Sequence, residues 1–372
     1  MIFSINRVSL LEAVSRLQRV VSSKSALPVL EGILISAEKE QVTLAAYNLE
    51  VGMKKTLPAI AGEPGDIVLN ARLLADILRR LNSEMIEIES DMKLSCHIRG
   101  GEAVFDIMGM AAIDFPEMPS VAEGTKINLS GELFQEMVAG TLFAVAQTEG
   151  TRPILTGVNI SVKEKTLQFV AIDGYRLAIR REAVEIEDEA EMIITGRAVG
   201  EVAKLIDENT ENIEILIGKR LVSFMIDGYL FICRLMEGEF VNYQKTIPTE
   251  FSQSVNMNRS SLLNTIERVS LLINDSFSTP LRCEFDEERV IFTCNTALGR
   301  ATESFNVNLQ GLPFVIGLNS RYFCEALRAI PEEQLQIRFK GANAGVILCS
   351  DEPNNNRYLY MIMPMRLKND DN

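Results

Sequence analysis

The sequence predicts an α+β chain made of three pseudo-repeated domains, each with two helices against antiparallel sheet. Three observations predict it. Segments from Ser4, Asn128 and Asn256 (SINRVSLLEAVSRLQRVV, NLSGELFQEMVAGTLFAV and NMNRSSLLNTIERVSLLI) each read as a short strand running into an amphipathic helix. A proline precedes a strand soon after each of these helices, at Pro28, Pro153 and Pro280, spaced 125 and 127 residues apart. A further helix in each unit carries Arg72, Arg197 and Arg321 in VLNARLLADIL, ITGRAVGEVAKLI and GLNSRYFCEAL, spaced 125 and 124. One period held by three landmarks gives domains at 1–126, 127–252 and 253–372, with boundaries in the short polar stretches PSVAEGTK and IPTEFSQS.

Each unit is also doubled internally. INRVSLLEAVSRL near Asn6 resembles LNARLLADILRRL near Asn70, so the order is helix, strands, helix, strands. Alternating stretches such as KTLQFVAI and ERVIFTCN fit half-buried antiparallel strands. AIDGYRLAI reads as a hairpin turning at Asp-Gly. The closing YLYMIMPMRL, Tyr358 to Leu367, reads as an edge strand finished by Met361 and Ile362. Pro364 lacks an N–H and ends its pairing there. Met363, Met365 and Leu367 are then left as apolar lining before the polar extension Lys368 to Asn372.

The 372 residues carry a net charge of −14, which by sum alone disfavours phosphate binding, although the distribution matters more. The helices tell a different story from the sum. Arg7, Arg16, Arg19, Lys24, Arg72, Arg79, Arg80, Arg197, Lys204, Arg259, Arg268, Arg321 and Arg328 lie on or just after them, against Glu132 and Glu136 on one acidic helix. Such residues also suit any solvated helix face. Six cysteines without C-x-x-C spacing read as buried, reduced thiols rather than as a zinc site or disulfide framework. With His97 as the single histidine, a multi-histidine metal site is impossible, and no Ser-His-Asp arrangement surrounds it. No phosphate-binding glycine motif is present, and none of the carboxylates stands out as a catalytic pair, so no enzyme, metal or cofactor is expected. No export signal or membrane span is expected either. On the residues alone, a cytosolic peptide-binding repeat scaffold remains an alternative to a DNA-binding protein.

Three repeats together with TRPILTGVNI, AIDGYRLAI and the terminal MPMRL resemble the bacterial sliding clamp family, the beta subunit of DNA polymerase III, over the whole chain. The resemblance implies a DNA-clamp fold, closing as a head-to-tail homodimer into a six-domain ring. It implies a cytoplasmic, nucleoid-associated processivity factor without a catalytic site. Its partners would be double-stranded DNA read without sequence preference, the polymerase III alpha subunit, the clamp loader and other proteins with a clamp-binding motif. By matching position, Lys24 and the loop residues Thr148, Glu149 and Arg152 would meet DNA, together with Arg72, Arg79, Arg80 and Arg197 on the helices. Phe105, Leu271 and Leu272 match the apolar centre of the dimer seam.

A partner-peptide cleft between the second and third domains would use Arg152, Leu155, Ile172, Gly174, Tyr175, Arg176 and Leu177. Val241, Lys245, Thr246, Asn319, Tyr322 and Val346 would join them, closed by Met361, Ile362, Met363, Pro364, Met365, Arg366 and Leu367. Methionines suit a surface that repacks around different ligands. Relative to the family pattern, Val241 replaces a proline common near that point, Ile172 and Tyr175 replace smaller or more polar residues, and Lys368 to Asn372 extend past the usual end.

Overall fold

A computed structural model describes residues 1–22, 24–147, 152–273 and 279–367. Six helices are described: α1 (Arg7–Leu17), α2 (Ala71–Arg80), α3 (Gly131–Ala139), α4 (Gly196–Ala203), α5 (Arg259–Val269) and α6 (Ser320–Ala329). All six start directly after a strand, and the joint is a short polar side chain. Asn6, Asn70, Asn258 and Asn319 each accept a hydrogen bond from the amide three residues on, at 2.9–3.1 Å. Ser130 and Thr195 do the same for α3 and α4 at 3.2 and 3.3 Å. These caps satisfy amides that the first helical turn leaves without partners.

The repeat is visible in what each helix buries. Leu10, Ala13, Val14 and Leu17 of α1 are buried, and so are Leu262, Thr265, Ile266 and Val269 at the same places in α5. The spacing i, i+3, i+4, i+7 is one helical face. Each fully buried leucine contributes about 1.5–3 kcal/mol.

The chain forms two compact units, residues 1–133 with 200–235, and 134–199 with 236–372. The first holds a five-stranded and an eight-stranded sheet, and every strand pair is antiparallel. In the middle of the larger sheet, Tyr229–Arg234 pairs with Val51–Pro58, Phe231 opposite Met53 and Tyr229 opposite Lys55. The second unit repeats the plan with an eight-stranded and a four-stranded sheet. There Tyr358–Ile362 pairs with Arg176–Ala183, Tyr360 opposite Ala178 and Tyr358 opposite Arg180. Strands of neighbouring repeats are thus hydrogen-bonded into one sheet, twice.

This corrects the reading of the closing segment. Tyr358–Ile362 is an interior strand, bonded to Arg176–Ala183 on one side and Val346–Ser350 on the other, because the neighbouring repeat supplies the second partner. Pairing does not stop at Pro364 either. The Met363 amide donates to the Tyr175 carbonyl at 2.8 Å, and the Met365 amide donates to the Gly317 carbonyl at 2.8 Å. A Cβ on Gly317 would sit 2.8 Å from Leu367 Cδ2, so the glycine makes room for that leucine.

Among the described residues each of the four sheets ends in two edge strands. Ala103–Met108 ends the five-stranded sheet, and Gly299–Asn306 ends the four-stranded one.

Candidate partner cleft and cation pattern

The hairpin predicted from Asp-Gly is built by its aspartate. Asp173 Oδ1 accepts from the amides of Tyr175 and Arg176, both at 2.9 Å, and Gly174 takes a φ of +93° that glycine adopts without strain. Tyr175 is thereby held out at the tip, 65% exposed. Arg176 turns inward, its side chain only 4% exposed. Its Nε donates to Asp173 Oδ2 at 3.0 Å and its Nη1 pairs with Glu325 of α6. The guanidinium lies 4.1 Å over the Tyr322 ring and 5.5 Å from the Phe143 ring. Burial alone would raise the Glu325 carboxyl, but hydrogen bonds from Arg176 and Arg321 outweigh it and hold the group below its usual range. The Tyr322 hydroxyl is pushed up by burial and by the nearby Asp173 charge.

Around this anchor the structure gathers much of the predicted cleft. Arg176 pairs with Ile362 and Leu177 with Met361, while Val346 lies opposite Ile362. Leu177, Val346, Met361 and Ile362 are buried and form the floor; Met363, Arg366 and Tyr175 are exposed above it, with Pro364, Met365 and Leu367 half-buried. Asn319 is buried and serves as the cap of α6. Ile172 and Tyr243 pack on the core patch of Leu177, Ile347 and Met361. Tyr243 starts the short turn carrying Lys245 and Thr246, both exposed, with Val241 half-buried just before it. Leu155 is half-buried and Arg152 exposed at the turn Pro153–Thr156.

Sequence reasoning passed over Asp173, Glu325 and Phe143. The aspartate three residues before the arginine was a legible signal; Glu325, 149 residues away, had none.

The helix cations divide into two sets. Over the six helices ten arginines face seven carboxylates, a net +3 against −14 for the chain. Many are spent on carboxylates: Arg16 on Glu12 and Asp207, Arg259 on Glu333, Arg268 on Glu303, Arg328 on Glu267. Arg7 donates instead to the carbonyls of Leu78 and Ser83. Arg79 pairs with Asp76 at 2.8 Å, and Arg80 donates to the Asp76 carbonyl at 3.3 Å. Lys24, Arg72, Arg152 and Arg197 are exposed and have no carboxylate within reach among the described residues. Thr148 and Glu149 lie outside the described residues, as does the extension Lys368 to Asn372.

Phe105 sits on the edge strand Ala103–Met108, half-buried between the exposed Val104 and the exposed Asp106. Leu271 (79% exposed) and Leu272 stand on the short turn Ser270–Leu272 that follows α5. Leu272 Cδ1 comes within 4.0 Å of the Cβ position of Gly299, the first residue of the edge strand Gly299–Asn306. The six cysteines are buried and unpaired. Burial pushes the thiols of Cys96 and Cys324 up to about 11 and that of Cys233 to about 12. His97 pairs with Asp106 across its hairpin. The described residues contain no cluster of three or more potential metal ligands, and no helix among them is long and apolar enough to cross a membrane.

Repeated helix–sheet units fused by strand exchange, each helix entered from a capped strand, define the clamp class of α+β repeat proteins. The chain belongs to the DNA polymerase III beta subunit family: the N-terminal, central and C-terminal domain models of that family match residues 1–119, 128–242 and 244–366. It is 28% identical to the beta sliding clamp of Bacillus subtilis, covering 98% of this chain and 99% of that one. It is 29% identical to that of Halalkalibacterium halodurans, with the same coverage. The solved Bacillus subtilis sliding clamp superposes with a TM-score of 0.94, at 28% identity over 99% of this chain and all of that one. A Pseudomonas aeruginosa sliding clamp bound to griselimycin gives 0.91 at 27% identity, again over 99% of this chain and all of that one. The function is that of a DNA sliding clamp, tethering the replicative polymerase.

Proposed function

We propose that two copies of this chain join head to tail through their open strand edges and encircle duplex DNA, holding partner proteins by short peptides. The observation that carries the proposal is the pattern of strand pairing. In sequence order, the third strand of one half-repeat pairs twice with the third strand of the half-repeat from a neighbour: Tyr229–Arg234 with Val51–Pro58, and Tyr358–Ile362 with Arg176–Ala183. The corresponding strands left over are Ala103–Met108 and Gly299–Asn306. A second copy supplies each with its missing partner and removes both edges, which unpaired would be liable to aggregate.

The repeat also sets the register. Phe231 faces Met53 and Tyr360 faces Ala178; Phe105 and Ala301 hold the same places in their own hairpins, opposite Ile98 and Cys294. The seam therefore places Phe105 of one copy opposite Ala301 of the other, with Leu271 and Leu272 beside it.

Domains at 1–126, 127–252 and 253–372 fit this scheme. Duplex DNA passes the helices, where Lys24, Arg72, Arg152 and Arg197 are open to phosphate and Arg79 and Arg80 stand next to Asp76. Phosphate contacts without base readout are what sliding needs. The cleft built on Leu177, Met361 and Val346 takes the apolar anchors of a polymerase- or clamp-loader-derived peptide. Arg176, locked by Asp173 and Glu325, shapes the wall beside them. The chain acts in the cytoplasm without a reaction of its own.

Double substitution Phe105→Cys with Ala301→Cys tests the scheme. Mild oxidation gives a covalent dimer, because directly opposed Cβ atoms lie about 4.5–5.5 Å apart, and the buried native thiols do not compete. The closed form is then retained on nicked circular DNA and lost when the circle is cut. Absence of a crosslinked dimer overturns the register; a crosslinked dimer lost equally from circle and line overturns encirclement.

A further inference from the structure

Ten residues past the caps of α1, α3 and α5 stand Arg16, Gly140 (just after α3 ends) and Arg268. The two arginines are put to use. Arg16 Nη1 donates to the Leu205 carbonyl at 3.0 Å, while Nη2 reaches Asp207 at 3.0 Å and Glu12 at 3.1 Å. Its guanidinium is 5.0 Å from the Tyr229 ring. Arg268 Nε donates to Glu303 at 3.0 Å.

At Gly140 there is no side chain to do this, and a cavity of about 430 Å³ lies there. Its lining repeats the surroundings of Arg16. Glu136 stands where Glu12 stands, Ala329 where Leu205 does, Arg180 in the place of Lys55 and Pro331 in that of Asp207. The carboxylate and the helix-end carbonyl that hold Arg16 are therefore kept, while the arginine is missing. Glu136 is exposed and comes no closer than 3.6 Å to Arg180 Nη2, too far for a hydrogen bond. The Ala329 carbonyl accepts the Tyr360 hydroxyl at 3.2 Å and keeps its second lone pair. Both α3 and α6 end at the cavity, so their negative dipole ends converge on it.

We propose that this cavity is a guanidinium-binding site for an arginine-like group of a ligand, held by the carboxylate and helix-end carbonyl as Arg16 is held in its own repeat. Arg180 does not bar it. Its Nη2 donates to Glu182 at 2.9 Å, a carboxylate it shares with Arg357, and the first repeat already places two cations, Arg16 and Lys55, within 5.0 Å of one tyrosine ring. Nε and Nη1 of Arg180 are buried without partners, which alone would invite an anion. Glu136 and the two helix ends oppose one. The site borders the cleft, sharing Phe143 and Glu325 with the Arg176 anchor, but does not depend on the peptide reading.

The test uses the full-length protein with methyl labels on Ala139, Ala329 and Ile330, titrated with N-acetyl-arginine amide, N-acetyl-lysine amide or sulfate. The arginine probe is expected to shift these methyls saturably, the lysine probe several-fold more weakly because it lacks the planar fork, and sulfate not at all. Glu136→Gln weakens the arginine probe about tenfold, the effect of losing a charged hydrogen bond. Gly140→Arg supplies the missing side chain and abolishes binding. A Cβ there meets the Glu136 carbonyl at 3.2 Å and Arg180 Cδ and the Tyr360 hydroxyl at 3.3 Å, so its neighbours yield a few tenths of an ångström. Should that variant not fold, Glu136→Gln decides. No saturable shift, a shift with sulfate in place of the arginine probe, or binding unchanged by Glu136→Gln overturns the site.

Discussion

Arg176 and Arg72 are both arginines at the start of a regular element, yet the protein treats them oppositely. Arg176 is buried among Asp173, Glu325, Tyr322 and Phe143, whereas Arg72 stands exposed with no carboxylate within reach among the described residues. One is structure; the other is available charge. The difference teaches that a cation's place on a helix or strand does not assign its role, and that its pairing does.

Four measurements test that division, in falling order of effect. Arg176→Ala leaves Asp173 and Glu325 facing each other without their cation, so unfolding should lose roughly 3–5 kcal/mol in a denaturant titration. A loss below 1 kcal/mol would show the network to be ornamental. Leu271→Asp puts a charge on a residue 79% exposed in the single chain and assigned to the proposed dimer seam. Its dissociation constant, measured by sedimentation, should rise by several kcal/mol equivalent while the melting of each copy is unchanged; equal shifts in both would place Leu271 in the core.

Replacing Lys24, Arg72, Arg152 and Arg197 together with alanine should flatten the log–log salt dependence of DNA binding by roughly 0.9 per lost phosphate contact. Stability should stay within about 0.5 kcal/mol, since nothing buried changes. The smallest effect concerns pH. Glu325 is held below its usual range in the folded chain, so its contribution is complete above the ordinary carboxylate range. It is lost as pH falls through the depressed value. Glu325→Gln should remove that acid-side component from a stability–pH curve and leave the neutral side of its slope unaltered.

The three-fold plan was legible because a period leaves its mark at every landmark, from the strand–helix segments at Ser4, Asn128 and Asn256 to the three prolines and to Arg72, Arg197 and Arg321. The hairpin at Asp173 was legible because its turn chemistry is local. The exchange of strands was not. No feature of YLYMI announces Arg176–Ala183 as a neighbour 180 residues earlier, and the segment therefore read as an edge. The charge pattern was half legible: composition counted Arg259 and Arg268 among available cations, but Glu333 and Glu303, which consume them, lie far along the chain. Leu177 and Met361 lie opposite each other and are buried rather than open as lining, which the sequence does not reveal because a strand's two faces cannot be told apart when both are apolar.

The shared sheets have a consequence for how the chain comes apart. The first, second and third repeats are units of sequence, but the middle one lends its later strands to one compact body and its earlier strands to the other. Cooperative opening follows the network of contacts rather than the sequence period. Amide exchange of Ile213, Phe224 and Phe231 should therefore keep pace with Leu44 and Met53, while Ile160 and Phe169 keep pace with Ile337 and Leu348. A gene fragment cut neatly around the middle repeat would carry two torn half-sheets, and should be recovered as an unfolded or aggregated polypeptide.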